Sequence, residues 1–234
     1  NTDYSWINSN CKWVLNVADN NEEENTHTGG KNGLCSAGIG YGAWLLKGAT
    51  QDGWFTTWQE TLENACVAGC SGICQEVYTQ KLGQAFRVAS GQGGTTEDGE
   101  KESRDYIESP YSKRSYIDYQ DNIYSIKNSL YGTRDVTATT PVTNSMMNIM
   151  KKYNYSGYND INTALNEAIA ALETAKNSSS FVADIAAIEK AYKNGTINSE
   201  AAYTRVKTCI DKINNLDDEL NKAGAWFRKI RASK

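Results

Sequence analysis

Short polar side chains recur along one stretch of the sequence at the spacing of a helix face. They follow one another in steps of three and four residues and are Tyr111, Ser115, Asp118, Asn122, Ser125 and Ser129. Helix surfaces that face solvent usually carry long charged side chains, whereas this stripe carries hydroxyl, amide and carboxylate groups. Groups of this kind line inter-helix clefts that bind ligands or metals. The alternative is a hydrogen-bonded network that only ties helices together.

The helix that presents this polar seam has a clear apolar stripe beside it. The stripe also runs in steps of three and four and consists of Tyr116, Tyr119, Ile123, Ile126 and Leu130. We therefore predict a helix over residues 112–131 that ends at Gly132. Ser109-Pro110 reads as a cap followed by a proline in the first turn, with Ser112 as a rival cap.

Other side chains that could do chemistry are few. The sole histidine, His27, lies in a loop, so neither a histidine-based triad nor a multi-histidine metal site is expected. Among helical carboxylates, Glu76 stands nearest a buried seam and is a candidate metal ligand, whereas Glu60 and Glu63 are expected to face solvent.

The cysteines do not form the paired knuckles of a zinc site. Cys66, Cys70 and Cys74 share one helix face and are expected to pack as small apolar residues. A disulfide between Cys11 and Cys35 is possible in a secreted protein, although the sequence alone does not establish it.

The remaining pattern is helical throughout, which predicts an all-α protein built from helical bundles. Apolar residues recur at helical spacing from Trp54 to Val77, with Gly69 and Gly72 allowing close approach and Gly83 as a stop. Residues 88–99 and 133–141 are expected to be linkers. Further helices are predicted over 142–153, 160–175 and 181–192, and the last helix is capped by Asn198 or Ser199. The predicted divisions are an irregular segment at 1–53 with short helices, a first bundle portion at 54–132 and a C-terminal bundle at 133–234. One of the short helices is suggested by Trp6, Trp13, Val14 and Val17, and the second covers residues 34–48.

Composition excludes several classes of function. A net charge of −4 argues against nucleic acid, which requires a concentrated basic face. No run of about eighteen apolar residues occurs, so no membrane-spanning helix is predicted.

One segment resembles a known family. Glu108-Ser109-Pro110-Tyr111-Ser112, followed by Ser115, Asp118, Asn122 and Tyr131-Gly132, is similar to the second signature of imelysin-like proteins, closest to the lipoprotein branch of Bacteroides-type bacteria. The helix from Gly69 to Gly83 and the later segment Ala164–Leu172 with Phe181 also look like this family. The resemblance covers roughly residues 54–231.

The resemblance implies two helical bundles with a binding site at their interface, in a periplasmic or cell-surface protein linked to iron uptake. It implies a lipid anchor on the precursor, a small ligand or metal such as iron as cofactor or cargo, and outer-membrane uptake components as partners. The family takes its name from a peptidase and has a Gly-x-His-x-x-Glu motif, which this sequence lacks around His27. Either N-terminal helices have been lost, leaving that part incomplete, or the protein is a divergent member.

Three hypotheses follow, with no catalytic residue assigned. In the first, an imelysin-like protein without peptidase activity binds iron or another small ligand. Its predicted ligand-binding residues are Glu108, Tyr111, Ser112, Ser115, Asp118 and Asn122, with Asp118 and Glu76 as metal ligands. In the second, a metal-dependent peptidase gains its histidine helix from a segment outside this sequence. In the third, the polar seam is purely structural and belongs to a helical interaction protein.

Overall fold

A computed structural model describes residues 57–232, except for the side chains of Trp58, Ala65, Cys66 and residues 230–232. Predictions about the acidic loop with His27, the helix at 34–48 and the Cys11–Cys35 disulfide lie outside these residues. By their internal contacts the described residues group into two compact units, residues 57–65 with 227–232, and Cys66–Trp226. The predicted divisions at residues 53 and 132 stay predictions.

The described part of the chain is helical, as the sequence predicts, and contains no strand beyond one isolated bridge. Its α-helices are α1 (Trp58–Thr61), α2 (Ala68–Gln75), α3 (Gly83–Ala89), α4 (Ser115–Tyr131), α5 (Met146–Lys152), α6 (Tyr158–Ser178), α7 (Phe181–Lys193) and α8 (Ala201–Ala232). Two π-helical segments separate the first three helices: π1 (Leu62–Val67) lies between α1 and α2, and π2 (Glu76–Lys81) lies between α2 and α3. A 3₁₀ turn (Ile197–Ser199) precedes α8. No helix among the described residues is long and apolar enough to span a membrane.

The larger unit is held by apolar stripes at the predicted spacing. Along α6 the fully buried side chains are Ile161, Ala164, Leu165, Ala168, Leu172 and Ala175, and along α8 they are Val206, Cys209, Ile213, Leu216 and Leu220. Each large side chain buried in this way contributes about 1.5–3 kcal/mol of transfer free energy. The hydrophobic pattern therefore suffices to explain why these helices pack together.

One buried ion pair crosses this core. Asp184 of α7 is 2% exposed and accepts hydrogen bonds from Nε and Nη2 of Arg205, at 2.9 and 2.6 Å. The phenol of Tyr116 donates to the same carboxylate at 2.7 Å. These bonds tie α4, α7 and α8 together and satisfy a charge that would otherwise be costly to bury.

In the smaller unit, the described contacts are local. The Thr57 hydroxyl accepts the backbone N–H of Glu60 at 3.1 Å, which caps α1. The carboxylate of Glu63, predicted to be solvated, is instead buried and paired with Arg228.

The two π-helical segments correct the predicted core face before residue 83. Gly69 and Ile73, placed on the apolar stripe by their spacing, are exposed and half-buried, while Val67, Cys70, Cys74 and Val77 are buried. A π turn adds a residue to each turn and so rotates the face that follows it. No described residue lies within 4 Å of a Cβ placed at Gly69 or Gly72, so no segment of residues 57–232 makes the predicted close approach there.

Gly83 also differs from the prediction, because α3 begins there rather than ending. A Cβ at Gly83 would lie 2.4 Å from the carbonyl oxygen of Tyr78 and 2.6 Å from Nη1 of Arg87. Only glycine therefore fits at the junction between π2 and α3.

The signature helix ends where predicted and begins later than predicted. Gly132 adopts φ +71° and its N–H bonds to the carbonyl of Asn128 at 2.9 Å, a C-terminal cap. At the other end, Ser109 and Lys113 adopt φ of +54° and +58°, and the first helical residue is Ser115. Two left-handed residues break the backbone on either side of Pro110, so the proline lies in a turn rather than in a first helical turn.

Smaller boundary differences have local causes. Residues 94–102 form a turn closed by a bridge between Thr95 and Lys101, rather than the predicted featureless linker. Helix α5 begins only after Ser145, whose hydroxyl accepts the N–H of Asn148 at 3.2 Å. Helix α8 begins after Glu200, since Asn198 and Ser199 lie in the 3₁₀ turn.

Candidate functional site

The ammonium group of Lys81 lies between two of the predicted site residues. Its Nζ is 3.3 Å from Oε1 of Glu76 and 3.3 Å from Oε2 of Glu108, which are 32 residues apart in the sequence (108 minus 76). The Lys81 side chain is 16% exposed, whereas those carboxylates are about half exposed. Burial alone would lower the pKa of Lys81, but the hydrogen bond and charge of Glu108, with the charge of Glu76, raise it above its ordinary value.

The π2 segment places Lys81 at this position with help from two tertiary hydrogen bonds. A π turn leaves backbone groups out of the usual i→i−4 ladder, and here Leu82 N bonds to Val77 O at 2.9 Å. The Tyr119 phenol donates to the Lys81 carbonyl at 3.1 Å, and Nη1 of Arg87 donates to the Thr79 carbonyl at 2.9 Å. Burial raises the pKa of Tyr119, which keeps this phenol protonated as a donor.

Beside Lys81 the surface forms a pocket of about 410 Å³. Glu76, Lys81 and Glu108 line it, together with residues 105–107 of the loop before the signature turn. That loop adds the carboxylate of Asp105 and the phenol of Tyr106, which is 48% exposed. Asp105 also pairs with Arg104, whose Nε lies 3.6 Å from its Oδ1, whereas Glu76 and Glu108 share the single ammonium group of Lys81. The lining carries more carboxylates than ammonium groups, so the pocket favours neutral or positively charged ligands.

The signature turn brings Ser115 to Glu108 but leaves Tyr111 apart. Ser115 is fully buried and its hydroxyl donates to the backbone carbonyl of Glu108. Ser112 donates to the carbonyl of Ser109 at 3.2 Å. The Tyr111 side chain is 99% exposed. Ser115 therefore positions the chain at Glu108, whereas Tyr111 projects into solvent.

The rest of the polar seam bonds to its own helix. Nδ2 of Asn122 donates to the Asp118 carbonyl at 2.9 Å, Ser125 to the Asn122 carbonyl at 2.6 Å, and Ser129 to the Ser125 carbonyl at 3.0 Å. Ser125 and Ser129 are exposed, while Asp118 and Asn122 are half-buried. These local bonds use groups that an inter-helix cleft would have offered to a ligand.

A bare metal ion does not fit the described residues as they stand. Residues 57–232 contain no group of three His, Cys, Asp or Glu side chains placed to hold one. The carboxylates of Glu76 and Glu108 are instead occupied by Lys81. The assignment of Asp118 and Glu76 as metal ligands stays a prediction.

The cysteines of this region are buried thiols. Cys70 and Cys74 are 3% and 0% exposed, and neither forms a disulfide. Cys209 on α8 is also buried and also forms no disulfide. Burial, with the nearby charge of Asp217, raises the pKa of Cys74, so this thiol stays protonated and is a poor nucleophile or metal ligand. Packing is the role that the sequence predicts for these side chains, and the burial agrees with it.

Two site residues were missed by reasoning from sequence. Lys81 was noted only as part of the family resemblance, and Tyr119 only as part of the core stripe. The spacing of the apolar stripe correctly places Tyr119 in the core, where its side chain is fully buried. A buried phenol also needs a hydrogen-bond partner. That requirement is a signal in the sequence, although it does not identify the partner as Lys81.

The geometry defines an all-α protein with a lysine-bridged carboxylate pocket at a π turn. Residues 41–219 match the family model described as Imelysin, and the chain belongs to the imelysin family. The fold is similar to the crystal structure of an imelysin peptidase from Bacteroides ovatus, with a TM-score of 0.60 and 20% sequence identity. That match covers 94% of this chain and 52% of the other, so this chain spans about half the length of the structure it resembles. No curated protein matches the chain.

These comparisons confirm the predicted family and the helical fold. At 20% identity the structural likeness carries the fold alone, and it transfers no activity. The lipoprotein branch, the cellular location and the ligand stay predictions.

Proposed function

We propose that this imelysin-family protein is an exported binding protein associated with iron uptake, and that it binds an iron complex in the pocket beside Lys81. The observation that carries the proposal is the convergence of Glu76 and Glu108 on Lys81 at the edge of a pocket of about 410 Å³. Pockets of this size suit small molecules. In this proposal the protein works at the periplasmic or cell surface through a lipid anchor on its precursor, with outer-membrane uptake components as partners.

The charge of the pocket limits which kinds of iron complex it can bind. Glu76 and Glu108 together exceed the single positive charge of Lys81, and Asp105 is already paired with Arg104, so an anionic chelate would be repelled. A bare ion would have to displace Lys81 from two carboxylates. An iron complex that brings its own donors and carries neutral or positive charge requires neither change. We assign no peptidase chemistry, since the sequence lacks the Gly-x-His-x-x-Glu motif.

The test is calorimetric titration with two iron complexes of opposite charge. Ferrioxamine B, a cationic ferric hydroxamate, should bind, and ferric citrate, an anion, should bind more weakly. Glu108→Gln should weaken binding of the cationic complex by about two- to fivefold, the range of a partly exposed charge interaction. Lys81→Met should strengthen it. Glu167→Gln, which removes a comparable carboxylate paired with Lys212 at 2.8 Å outside the pocket, is the matched control.

The result that would reject the proposal is equally direct. If neither complex binds, or if Glu108→Gln and Glu167→Gln have equal effects, the pocket is not the site. In each variant, an unchanged far-ultraviolet circular dichroism spectrum must show that the fold is retained.

A specific observation favours a second candidate, in which the polar seam is structural. The side chains of Asn122, Ser125 and Ser129 all bond to carbonyls of their own helix. In a helical interaction protein of this kind, Ser115→Ala would lower stability and leave ligand affinity unchanged. Under the first candidate, Ser115→Ala also weakens ligand binding, because it frees the backbone at Glu108.

A further inference from the structure

A second pocket lies on the other side of Glu76, between the π2–α3 segment and the turn of residues 94–102. Its volume is about 480 Å³, within the range of small-molecule sites. Most of its lining is polar and uncharged. Three amides and three hydroxyls contribute, from Gln75, Gln80, Gln84, Thr79, Thr95 and Thr96.

The amide of Gln84 is the unusual member of this lining. Gln84 is only 6% exposed, and its amide bonds to no other described residue, so its polar atoms are open only to the pocket that the side chain lines. A side-chain amide offers two donors and an acceptor, and nearly all buried groups of this kind are satisfied. Because the side chain lines the pocket, a molecule held there would supply the missing partners.

Hydrogen bonds between Arg87 of α3 and Glu102 hold the turn of residues 94–102 beside this pocket. Nε of Arg87 donates to Oε1 and Oε2 of Glu102 at 3.0 and 3.1 Å, and Gly94 N donates to Oε2 at 3.0 Å. Arg87 also donates to the Thr79 carbonyl at 2.9 Å. The turn is therefore fixed to α3 before any ligand arrives, which lowers the entropy lost on binding.

These contacts also limit the charge of the ligand. Among the described residues of the lining Arg87 is the sole cation, and its guanidinium already bonds to Glu102 and to the Thr79 carbonyl, so none of these residues leaves a positive group to bind an anion. Glu76 and Glu97 remain as carboxylates, and no described group of three acidic side chains is placed to hold a metal ion. The hydroxyls of Thr79 and Thr96 donate to the carbonyls of Gln75 and Glu100, at 2.6 and 3.3 Å. The amides of Gln80 and Gln84 and the Thr95 hydroxyl are left to offer both donors and acceptors, which complements hydroxyl groups.

We propose that this pocket binds a neutral saccharide, with the Gln84 amide bonding the sugar hydroxyls at its floor. Each hydroxyl both donates and accepts, as each amide and threonine hydroxyl in the lining does. The half-buried ring of Tyr78 adds an apolar surface for the C–H face of a sugar. The inference does not depend on the iron complex, because it concerns a different pocket.

Saturation-transfer-difference NMR on the full chain tests the proposal, with D-glucose, N-acetyl-D-glucosamine and maltose as probes. At least one sugar should bind, and Gln84→Leu should weaken its affinity by about tenfold or more, because a buried hydrogen-bonding partner is lost. Gln92→Leu, at an exposed glutamine outside the pocket, should leave affinity unchanged. Glu108→Gln, which alters only the pocket beside Lys81, should also leave it unchanged.

Thermal stability supplies an independent readout. Replacing an unpaired buried amide with an apolar side chain of similar volume should raise the melting temperature of Gln84→Leu by about 2–4 °C in the absence of sugar. Thr95→Val removes an exposed lining hydroxyl without touching the core, so it tests binding even if Gln84→Leu misfolds. It should weaken sugar binding several-fold.

Three results would overturn the proposal. They are the absence of binding by every sugar, equal sugar affinity in the wild type and both pocket variants, or a lower melting temperature for a folded Gln84→Leu. The last would mean that the amide is satisfied within the protein. Displacement of the sugar signal by calcium chloride at constant ionic strength would instead assign the pocket to a cation and would also contradict it.

Discussion

The phenol of Tyr119 donates a hydrogen bond to the carbonyl oxygen of Lys81, with 3.1 Å between the two oxygens. Through it, the signature helix supports the π turn that carries the ammonium group of the candidate site. The turn exposes backbone carbonyls that an α-helix would satisfy internally, and Tyr119 and Arg87 satisfy two of them. The family signature and the preceding helix therefore form one structural unit.

Tyr119→Phe should remove this support without leaving a cavity. We expect the free energy of unfolding to fall by about 1 kcal/mol, because a partly buried carbonyl loses its partner. Affinity for the iron complex should fall as well, since the π2 segment that also presents the Glu76 carboxylate is held less firmly. Urea denaturation and calorimetry measure the two effects. Tyr124→Phe, on the same helix but half-buried and without a side-chain hydrogen bond, should change neither; equal effects of the two variants would contradict the assigned role.

Gly83→Ala should disrupt the junction between π2 and α3. The added Cβ would meet the Tyr78 carbonyl oxygen at 2.4 Å, and overpacking of this kind costs about 1–3 kcal/mol. Gly72→Ala is the control, because it adds a Cβ in open space on an α-helix and should raise stability by about 0.5–1 kcal/mol. Opposite shifts in the urea midpoint are expected. Shifts of the same sign would show that π2 does not require glycine at this junction.

Asp184→Asn should be among the most destabilising substitutions in the larger unit. The change removes a buried carboxylate that accepts two hydrogen bonds from the half-buried Arg205 and one from Tyr116, which should cost about 1.5–3 kcal/mol. Asp211→Asn breaks an exposed pair with Lys207 on the same helix as Arg205 and should cost about 0.5 kcal/mol or less. Chemical denaturation compares them. Similar losses would mean that the buried pair contributes no more than a surface pair.

Stability should depend on pH through Glu102. Its hydrogen bonds to Arg87 hold the pKa of Glu102 below its ordinary value, whereas the unfolded chain has a value of about 4.3. The stabilisation that Glu102 contributes is therefore fully present at pH values above its pKa in the unfolded chain. It is lost as the pH falls through its lower pKa in the folded protein.

The comparison that isolates this effect uses Glu102→Gln and the wild type between pH 7 and 2.5. The variant should be less stable at pH 7 by about 1.5–3 kcal/mol, the range for hydrogen bonds to charged groups. The difference in the free energy of unfolding between the wild type and Glu102→Gln should narrow at low pH, as Glu102 is protonated. Glu97→Gln, at an exposed carboxylate in the same turn, is the control. A gap that stays constant with pH would exclude Glu102 as the titrating group.

The sequence predicts the later helices well because their apolar residues keep the α-helical period. The stripe from Ile161 to Leu172 and the stop at Gly132 follow directly from spacing and from the left-handed preference of glycine. The π turns are harder to find, since periodicity assigns residues to a face only while the turn length stays constant.

The candidate site could be predicted only in part. Family resemblance points to Glu108 and Ser115, and the position of Glu76 near a buried seam points to its carboxylate. Their convergence on Lys81 depends on the path of residues 90–114, which local spacing does not define. Gln84 offers a clearer signal, because it interrupts the apolar run Leu82-Gly83-Gln84-Ala85-Phe86.

The position of iron in crystals soaked with ferrioxamine B tests the proposed function most directly, through anomalous scattering at the iron absorption edge. We predict one dominant peak in the pocket bounded by Lys81, Tyr106 and Glu108, and a weaker peak there in Glu108→Gln crystals. A peak elsewhere with none in this pocket, or no peak at saturating ferrioxamine B, would contradict the proposal.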